Sequence, residues 1–326
     1  MSSNLEMTHK ANKQASEPGI PADAAIVVEN FTKSYGSNRV VDGLEFTVQR
    51  GEIFALLGPN GAGKTTTIET LEGYRKPDHG RIRVLGLDPV REPQKLKPQI
   101  GVMLQQDGLY PGLTAREVLH LFAGYFRQPQ NIDSLLERVG LTPASKTRCR
   151  RLSGGQKRRL ALAVALVGKP NMVFLDEPTS GMDPQARLAT WEIIRELKQN
   201  GATILLTTHL MDEAERLADR IAIIDHGRLV AMDTPSGLTG AQNSTVVRFI
   251  APAGLDCTQL SALQSARTAE EIRPGSYLIE TDEASMLIAE MTAWLRDQHI
   301  TLSELRVGHG SLEDVFLRLT GSEMRD

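Results

Sequence analysis

The segment Gly58-Pro59-Asn60-Gly61-Ala62-Gly63-Lys64-Thr65 has the residue types and spacing of a loop built to hold a polyphosphate. Three glycines let a backbone wrap until its N–H groups face phosphate oxygens. The Lys64 ammonium is placed to neutralise β- and γ-phosphates, and the Thr65 hydroxyl to coordinate Mg²⁺, with Thr66 beside it. The context agrees. Glu52–Leu57 is a continuous apolar run that reads as a buried strand, and Thr65–Leu71 reads as a helix. The positive end of that helix adds potential at the same point. A Gly-rich turn with a chance lysine is the bland alternative, disfavoured by the length of the motif and by its strand–helix setting.

A second chemical group follows at Met172-Val-Phe-Leu-Asp176-Glu177, where four apolar strand residues deliver two carboxylates to the strand's end. Ligands of doubly wound sheets sit at that end. Asp176 is placed to hold Mg²⁺, and Glu177 to polarise an attacking water as general base. A hydrophobic run ending in two acids says little alone; paired with the glycine loop it says much. Between the two lies Leu152-Ser153-Gly154-Gly155-Gln156, serine and glycines opening a helix, which is a further anion-binding surface. One chain therefore carries two phosphate-binding edges.

With that segment between the two nucleotide motifs, the chain resembles the ABC ATPase family over about residues 25–240, with every motif in family order. The resemblance implies a P-loop cassette: a mainly parallel sheet, N-terminal antiparallel strands and a helical subdomain. It implies that Ser153, Gly154, Gly155 and Gln156 face the γ-phosphate held by an opposite subunit. It implies that Tyr35 stacks on adenine and that Gln105 touches Mg²⁺ and water. Asp183 matches the D-loop, and His209 matches the switch histidine near the γ-phosphate. Gln106 is a rival for Gln105; the spacing of Ile100-Gly-Val-Met-Leu-Gln favours Gln105. Tyr35 and His209 taken singly are ordinary residues, and they count only within the set. Met182 stands where the family usually has leucine, a tolerable apolar swap.

The elements that must position these groups are legible as alternating strands and helices, hence a largely parallel sheet. Strands are expected at Ala25–Glu29, Phe46–Val48, Met172–Leu175, Ala202–Thr207 and Arg220–Ile224. Helices are expected at Gln185–Asn200 and Met211–Ala218. About residues 91–168 form a helical insertion, with helices over Thr114–Phe126, Ile132–Val139 and Gly154–Val167. Residues 241–326 read as an accessory α+β domain in the order β-α-β-β-α-β, which is ferredoxin-like. It closes on a helix opened by Ser311-Leu-Glu-Asp, a capping-box pattern. Residues 1–24 read as a polar, flexible tail without the apolar segment of a secretory signal.

Bulk properties narrow the classes. A chain of 326 residues, 40% hydrophobic and 24% charged, fits a soluble globular protein of about two domains. A net charge of −3 provides no basic field for nucleic acid. The basic stretch Lys146–Arg159 has no interleaved aromatics and reads as solvated charge around the Ser153 helix. Cys149 and Cys257 make no metal-ligand pattern. No apolar run approaches the roughly 20 residues needed to cross a bilayer, so a membrane role requires a partner.

The resemblance extends to the antibiotic-export branch, of the daunorubicin-resistance type. It rests on Leu71-Glu-Gly-Tyr, on Gln105-Gln-Asp-Gly-Leu-Tyr-Pro-Gly-Leu-Thr-Ala-Arg-Glu, and on Ser311-Leu-Glu-Asp-Val-Phe-Leu-Arg-Leu-Thr-Gly. It implies an ATPase subunit that binds Mg-ATP, pairs with a second copy and drives a separate ABC-2-type permease from the cytoplasmic face of the membrane. The cargo would be drug-like or lipid-like. A soluble translation or repair ATPase is the competing class; those relatives carry two cassettes or long coiled coils, and this chain has one cassette and no sustained heptads. An importer's ATPase is a further alternative. The C-terminal domain fits a small-molecule sensor or a dimer-stabilising appendage equally well.

Overall fold

The computed structural model describes residues 23–103, 108–239 and 245–321. The expected tail, apart from its last two residues, and Gln105 lie outside the described residues. The chain opens with a long hairpin, β1 (Ala24–Tyr35) and β2 (Asn38–Gln49). Next come β3 (Ile53–Leu57), α1 (Lys64–Leu71), β4 (His79–Val84) and the short α2 (Pro93–Leu96). Then follow β5 (Ile100–Met103), α3 (Ala115–Ala123), α4 (Ile132–Arg138) and α5 (Gly154–Leu166). The chain returns to alternation with β6 (Met172–Asp176), α6 (Pro184–Gln199), β7 (Thr203–Thr207) and α7 (Met211–Leu217). After that come β8 (Arg220–Asp225), β9 (Arg228–Asp233) and α8 (Pro235–Thr239).

The central sheet runs β5-β6-β7-β3-β8-β9. Its first five strands are parallel and β9 is antiparallel to β8. Every residue of β3 and β7 is buried, which is why these strands are continuously apolar rather than alternating: both faces of a parallel sheet are covered. A second, antiparallel sheet has the order β2-β1-β4. It shares a core with the central sheet that includes Phe31, Phe46, Phe54 and Leu56. Phe46 and Phe54 stack with ring centroids 5.4 Å apart. The expected α/β architecture with N-terminal antiparallel strands is therefore present.

Two expectations need correction, and two strands were not anticipated. The helical stretch at 91–168 is interrupted: Ile100–Met103 is β5, paired with Met172–Leu175 at the edge of the central sheet. Four residues are too few to display a period in sequence. The strands β4 and β9 are both edge strands: β4 opens with exposed polar residues, and β9 is apolar in composition but has no buried face to give it an alternating pattern. The first helix of the β-α-β-β-α-β order is only a turn and a half long, α9 (Cys257–Ser261), capped by Asp256.

The remaining elements are β10 (Thr245–Ile250), β11 (Thr268–Arg273), β12 (Ser276–Thr281), α10 (Ala284–Asp297), β13 (Glu304–His309) and α11 (Leu312–Thr320). They form an antiparallel sheet ordered β11-β12-β10-β13, so β12 lies between the two strands of the first β-α-β unit, the split arrangement of ferredoxin-like folds. Its own core includes Val247, Phe249, Tyr277, Ile279, Leu287 and Met291.

The last helix does not join that core. Ser311 caps α11 in a reciprocal box with Asp314, and Leu312 and Phe316 pack into the larger core with Ala214 and Leu217 of α7. The Leu312 N–H donates to Glu215 of α7 at 2.6 Å. Asp314, nearly buried, also takes a charged fork from Arg248 of β10. One helix thus ties the C-terminal sheet to the larger core. Phe316 is 1% exposed, so Phe316→Ala is expected to remove about 3–5 kcal/mol from the larger core. Urea unfolding followed by the fluorescence of Trp191, buried in that core, measures it; a shift under about 1 kcal/mol would show the helix to be a passive appendage.

Candidate active site

The glycine loop is shaped by close approach of backbone to backbone. A methyl group on Gly58 would stand 2.3 Å from the Ile224 carbonyl oxygen of β8, closer than real contacts allow. Gly63, at φ 99°, is the N-cap of α1 and would meet the Val40 oxygen of β2 at 2.8 Å. No side chain caps α1, so its first-turn N–H groups are left for a ligand. Ala62 is buried beneath the loop and Asn60 and Gly61 are exposed. The Lys64 Nζ bends back over the loop, donating to Gly58 O at 2.6 Å and Pro59 O at 3.0 Å. Burial lowers the pKa of this ammonium, while the carboxylates of Glu177 and Asp176 act in the opposite sense.

Lys64, Asn60, Glu177, His209 and the turn Ser180–Met182 line one cleft of ≈ 520 Å³, together with Arg187 and Thr208. The His209 Nδ1 is 3.5 Å from Glu177 Oε1. Asp176 instead faces an adjoining cleft with Thr65, Glu69 and Glu72, and its carboxylate accepts from the Thr207 hydroxyl of β7. The two neighbouring acids are separated by a backbone reversal: Glu177 has φ 49°, a left-handed conformation that costs on the order of 1–3 kcal/mol outside glycine. The Glu177 N–H is held by Thr207 O at 3.0 Å. Thr65 and Asp176 are thereby brought together as oxygen donors, and Lys64, Glu177 and His209 as the groups around the reacting end.

Other expected residues stand elsewhere. Thr66 is half-buried in the first turn of α1, where its carbonyl accepts from the Thr70 hydroxyl. Ser153 caps α5 in a reciprocal box with Gln156. Ser153 and Gly154 are exposed, and none of Ser153–Gln156 lines the Lys64 cleft. Asp183 caps α6, accepting from the Ala186 N–H at 2.9 Å. Tyr35 sits at the tip of the β1–β2 hairpin, outside that cleft, with Lys33 and Arg75 at 5.6 and 5.4 Å from its ring centre.

The expectation of solvated charge over Lys146–Arg159 fails at two positions. Lys146, Arg148, Arg150, Arg151 and Lys157 are exposed. The Arg158 side chain is only 11% exposed and its Nε donates to Glu177 O at 2.9 Å; Arg159 bonds the carbonyls of Val139 and Gly140. The composition of the segment hid them, whereas the helical period after Ser153 places both on the inward side beside the buried Leu162. Glu213 was missed as well. It is fully buried on α7 and accepts from Thr179 and Trp191.

A family model described as "ABC transporter" matches residues 41–180. The Nod factor export ATP-binding protein I of Paraburkholderia xenovorans (strain LB400) is 42% identical over 314 residues, covering 93% of this chain and 99% of that protein. This chain belongs to the ABC transporter family. The linearmycin resistance ATP-binding protein LnrL of Bacillus subtilis (strain 168) is 36% identical over 311 residues, covering 91% and 99%. Among solved structures, an ATP binding subunit of an ABC transporter aligns with a TM-score of 0.62 at 31% identity, over 66% of this chain and 92% of that one. The protein is thus an ABC exporter's ATP-binding, ATP-hydrolysing subunit.

One buried acid of this ABC subunit has a readable titration. Glu72, 7% exposed beside Asp176 and Glu69, has its carboxyl pushed up from 4.5 to about 8, first by burial and then by those two carboxylates. Below about pH 4.5 the group is protonated in folded and unfolded chains alike. Between about 4.5 and 8 only the unfolded chain releases the proton, so stability falls as pH rises through this window and levels above it. Glu72→Gln, which mimics the neutral acid, is expected to stabilise the nucleotide-free chain at about pH 8.5 by on the order of 3–5 kcal/mol and to do little at about pH 4.5. Denaturant titrations at both values test it; equal effects would remove Glu72 as the cause.

Proposed function

We propose that this exporter ATPase works as a dimer with two ATP molecules sandwiched between the copies, beneath a separate ABC-2-type permease on the cytoplasmic face of the membrane, and that its cargo is drug-like or lipid-like. The observation that carries the reading is the separation of two phosphate-binding edges. The capped end of α5 at Ser153–Gly155 is solvent-facing and lies outside the cleft where Lys64, Glu177 and His209 meet. An edge that cannot serve its own cleft is free to serve that of a second copy. Relatives named for Nod factor export and for linearmycin resistance support the export reading. No described helix is long and apolar enough to cross a membrane, which fits a membrane path supplied by a partner.

In this reading residues 25–240 are the ATPase unit and 241–326 an accessory unit with its own core, whose last helix returns to the first. The loop from Gly58 to Thr66 cradles the phosphates and Lys64 offsets their charge. Tyr35 stacks on adenine. Thr65 and Asp176 suit Mg²⁺, being hard oxygen donors in one cleft; Gln105 is the third candidate from the motif. No group of three or more His, Cys, Asp or Glu side chains among the described residues is placed to hold a metal ion by itself; a Mg²⁺ site completed by substrate phosphates and water would need none. When bound, that ion spreads the phosphate charge. Glu177 takes a proton from the attacking water, and His209 holds the γ-phosphate end next to it. Ser153, Gly154, Gly155, Gln156 and Asp183 reach across from the other copy.

Glu177→Gln removes the base while keeping size, and is expected to lower hydrolysis by ~10²–10⁴ with ATP still bound. The variant should accumulate as an ATP-bound dimer in size-exclusion chromatography with Mg-ATP. Wild-type phosphate release would take Glu177 out of the mechanism. Ser153→Arg places a long cation on the exposed end of α5 and is expected to abolish ATP-driven dimerisation; a dimer and ATPase rate like those of the wild type would refute the sandwich.

A further inference from the structure

We propose that Arg158 is a positioning residue for hydrolysis, holding the backbone turn that aims Glu177, from the same helix whose capped end is offered to the second copy. The inference rests on the dimer reading above and on Glu177 as the base. Glu177 occupies a left-handed conformation that side-chain-bearing residues adopt only where their surroundings impose it. Two groups grip it. On one side its N–H bonds Thr207 O at 3.0 Å. On the other, the Arg158 guanidinium donates from Nε to Glu177 O at 2.9 Å and from Nη2 to the carbonyls of Glu177 and of Asp176, the latter at 3.3 Å. Its Nη2 is also 3.9 Å from Glu177 Oε2.

An arginine with an 11% exposed side chain is spent here on carbonyl oxygens rather than on a tight ion pair. Its planar fork can serve two successive carbonyls at once, which a lysine ammonium on a flexible stem cannot reproduce. Burial lowers the pKa of this guanidinium, and the carboxylates of Glu177, Asp176 and Glu213 offset that only in part.

The placement along α5 gives the contact its meaning. Ser153 is the N-cap of this helix and Arg158 follows just over one turn later, about 7–8 Å along the axis. Leu160, Leu162, Ala163 and Leu166 of the same helix are buried in the core, so α5 moves as one body. Seating its exposed end on a nucleotide held by the second copy and steadying Glu177 in its own cleft are then two ends of one rigid element. Neither the D-loop nor the accessory unit is needed for that link.

The test uses the purified full chain with Mg-ATP in five forms: wild type, Arg158→Lys, Arg158→Ala, Glu177→Gln and the double variant Arg158→Ala/Glu177→Gln. Steady-state phosphate release, ATP titration, melting and ATP-dependent dimerisation are read for each. Arg158→Ala is expected to lower kcat about 10- to 100-fold, the scale of a misplaced catalytic group, with KM and ATP affinity within about threefold. Arg158→Lys should recover only part of the rate. In the Glu177→Gln background Arg158→Ala should cost nothing further, because it acts through the lost base, and the double variant should still dimerise with ATP. An unchanged kcat, an equal fold loss in both backgrounds, or a loss of rate matched by a loss of ATP affinity overturns the proposal. If Arg158→Ala melts below the assay temperature, Arg158→Lys carries the comparison in both backgrounds by the same criteria. A Glu177→Gln chain hydrolysing at the wild-type rate would instead overturn the underlying reading of the base.

Discussion

The site depends on a place where backbone meets backbone with no room for a side chain. Gly58 passes the Ile224 carbonyl at the end of β8, and Gly63 and Gly227 pass the Val40 carbonyl of β2, each too near for a Cβ. The glycine loop is therefore wedged between the central sheet and the antiparallel hairpin, and its shape is set by the packing of the two sheets. The stacked pair Phe46–Phe54 joins those sheets behind the loop. Loosening either sheet would release the conformation that exposes the first N–H groups of α1.

Around that wedge several buried charged groups are engaged by hydrogen bonds. Lys64 bonds its own loop, Arg158 bonds the carbonyls after β6, and Glu213 binds Thr179 and Trp191 through one oxygen. Glu72 is stabilised as the neutral acid. Buried charge of this kind adds little net stability but penalises rearrangement, since freeing one partner strands the other. It makes the turn after β6, the start of α6 and the helix α7 behave as one unit, and those three elements carry Glu177, Asp183 and the segment following His209.

The C-terminal sheet reaches this unit through α11. The helix spends its apolar side on the larger core and its polar cap on both parts: Leu312 N–H on Glu215 of α7, Asp314 on Arg248 of β10. A cleft lined by His209, Arg187, Glu313 and Phe316 lies between α11 and the segment that carries His209. The C-terminal sheet thus reaches α7, the helix that follows His209, through the packing of α11.

The sequence by itself determined the chemistry and the class of fold. Motifs such as Gly58–Thr65 and Met172–Glu177 are local: a few adjacent residues contain the whole cradle or the whole strand end, and continuous apolar runs declare buried parallel strands. What it left open depended on contacts between distant segments. The edge strands β4 and β5 were too polar or too short to show a period, β9 is apolar in composition yet half-exposed at the sheet edge, and α9 ends at Ser261 although Leu263 and Ala266 beyond it still pack against the same core. Arg158 read as one basic residue among seven; the helical period puts it on the inward side of α5, but only the packing of α5 against the end of β6 supplies the carbonyls it bonds. Likewise, that Asp176 and Glu177 face separate clefts follows from a left-handed turn held by Thr207 and Arg158, which lie 31 and 18 or 19 residues away along the chain. Tertiary structure decided those points, since the energy of a buried guanidinium or a strained backbone is set by its partners, and sequence neighbours do not name them.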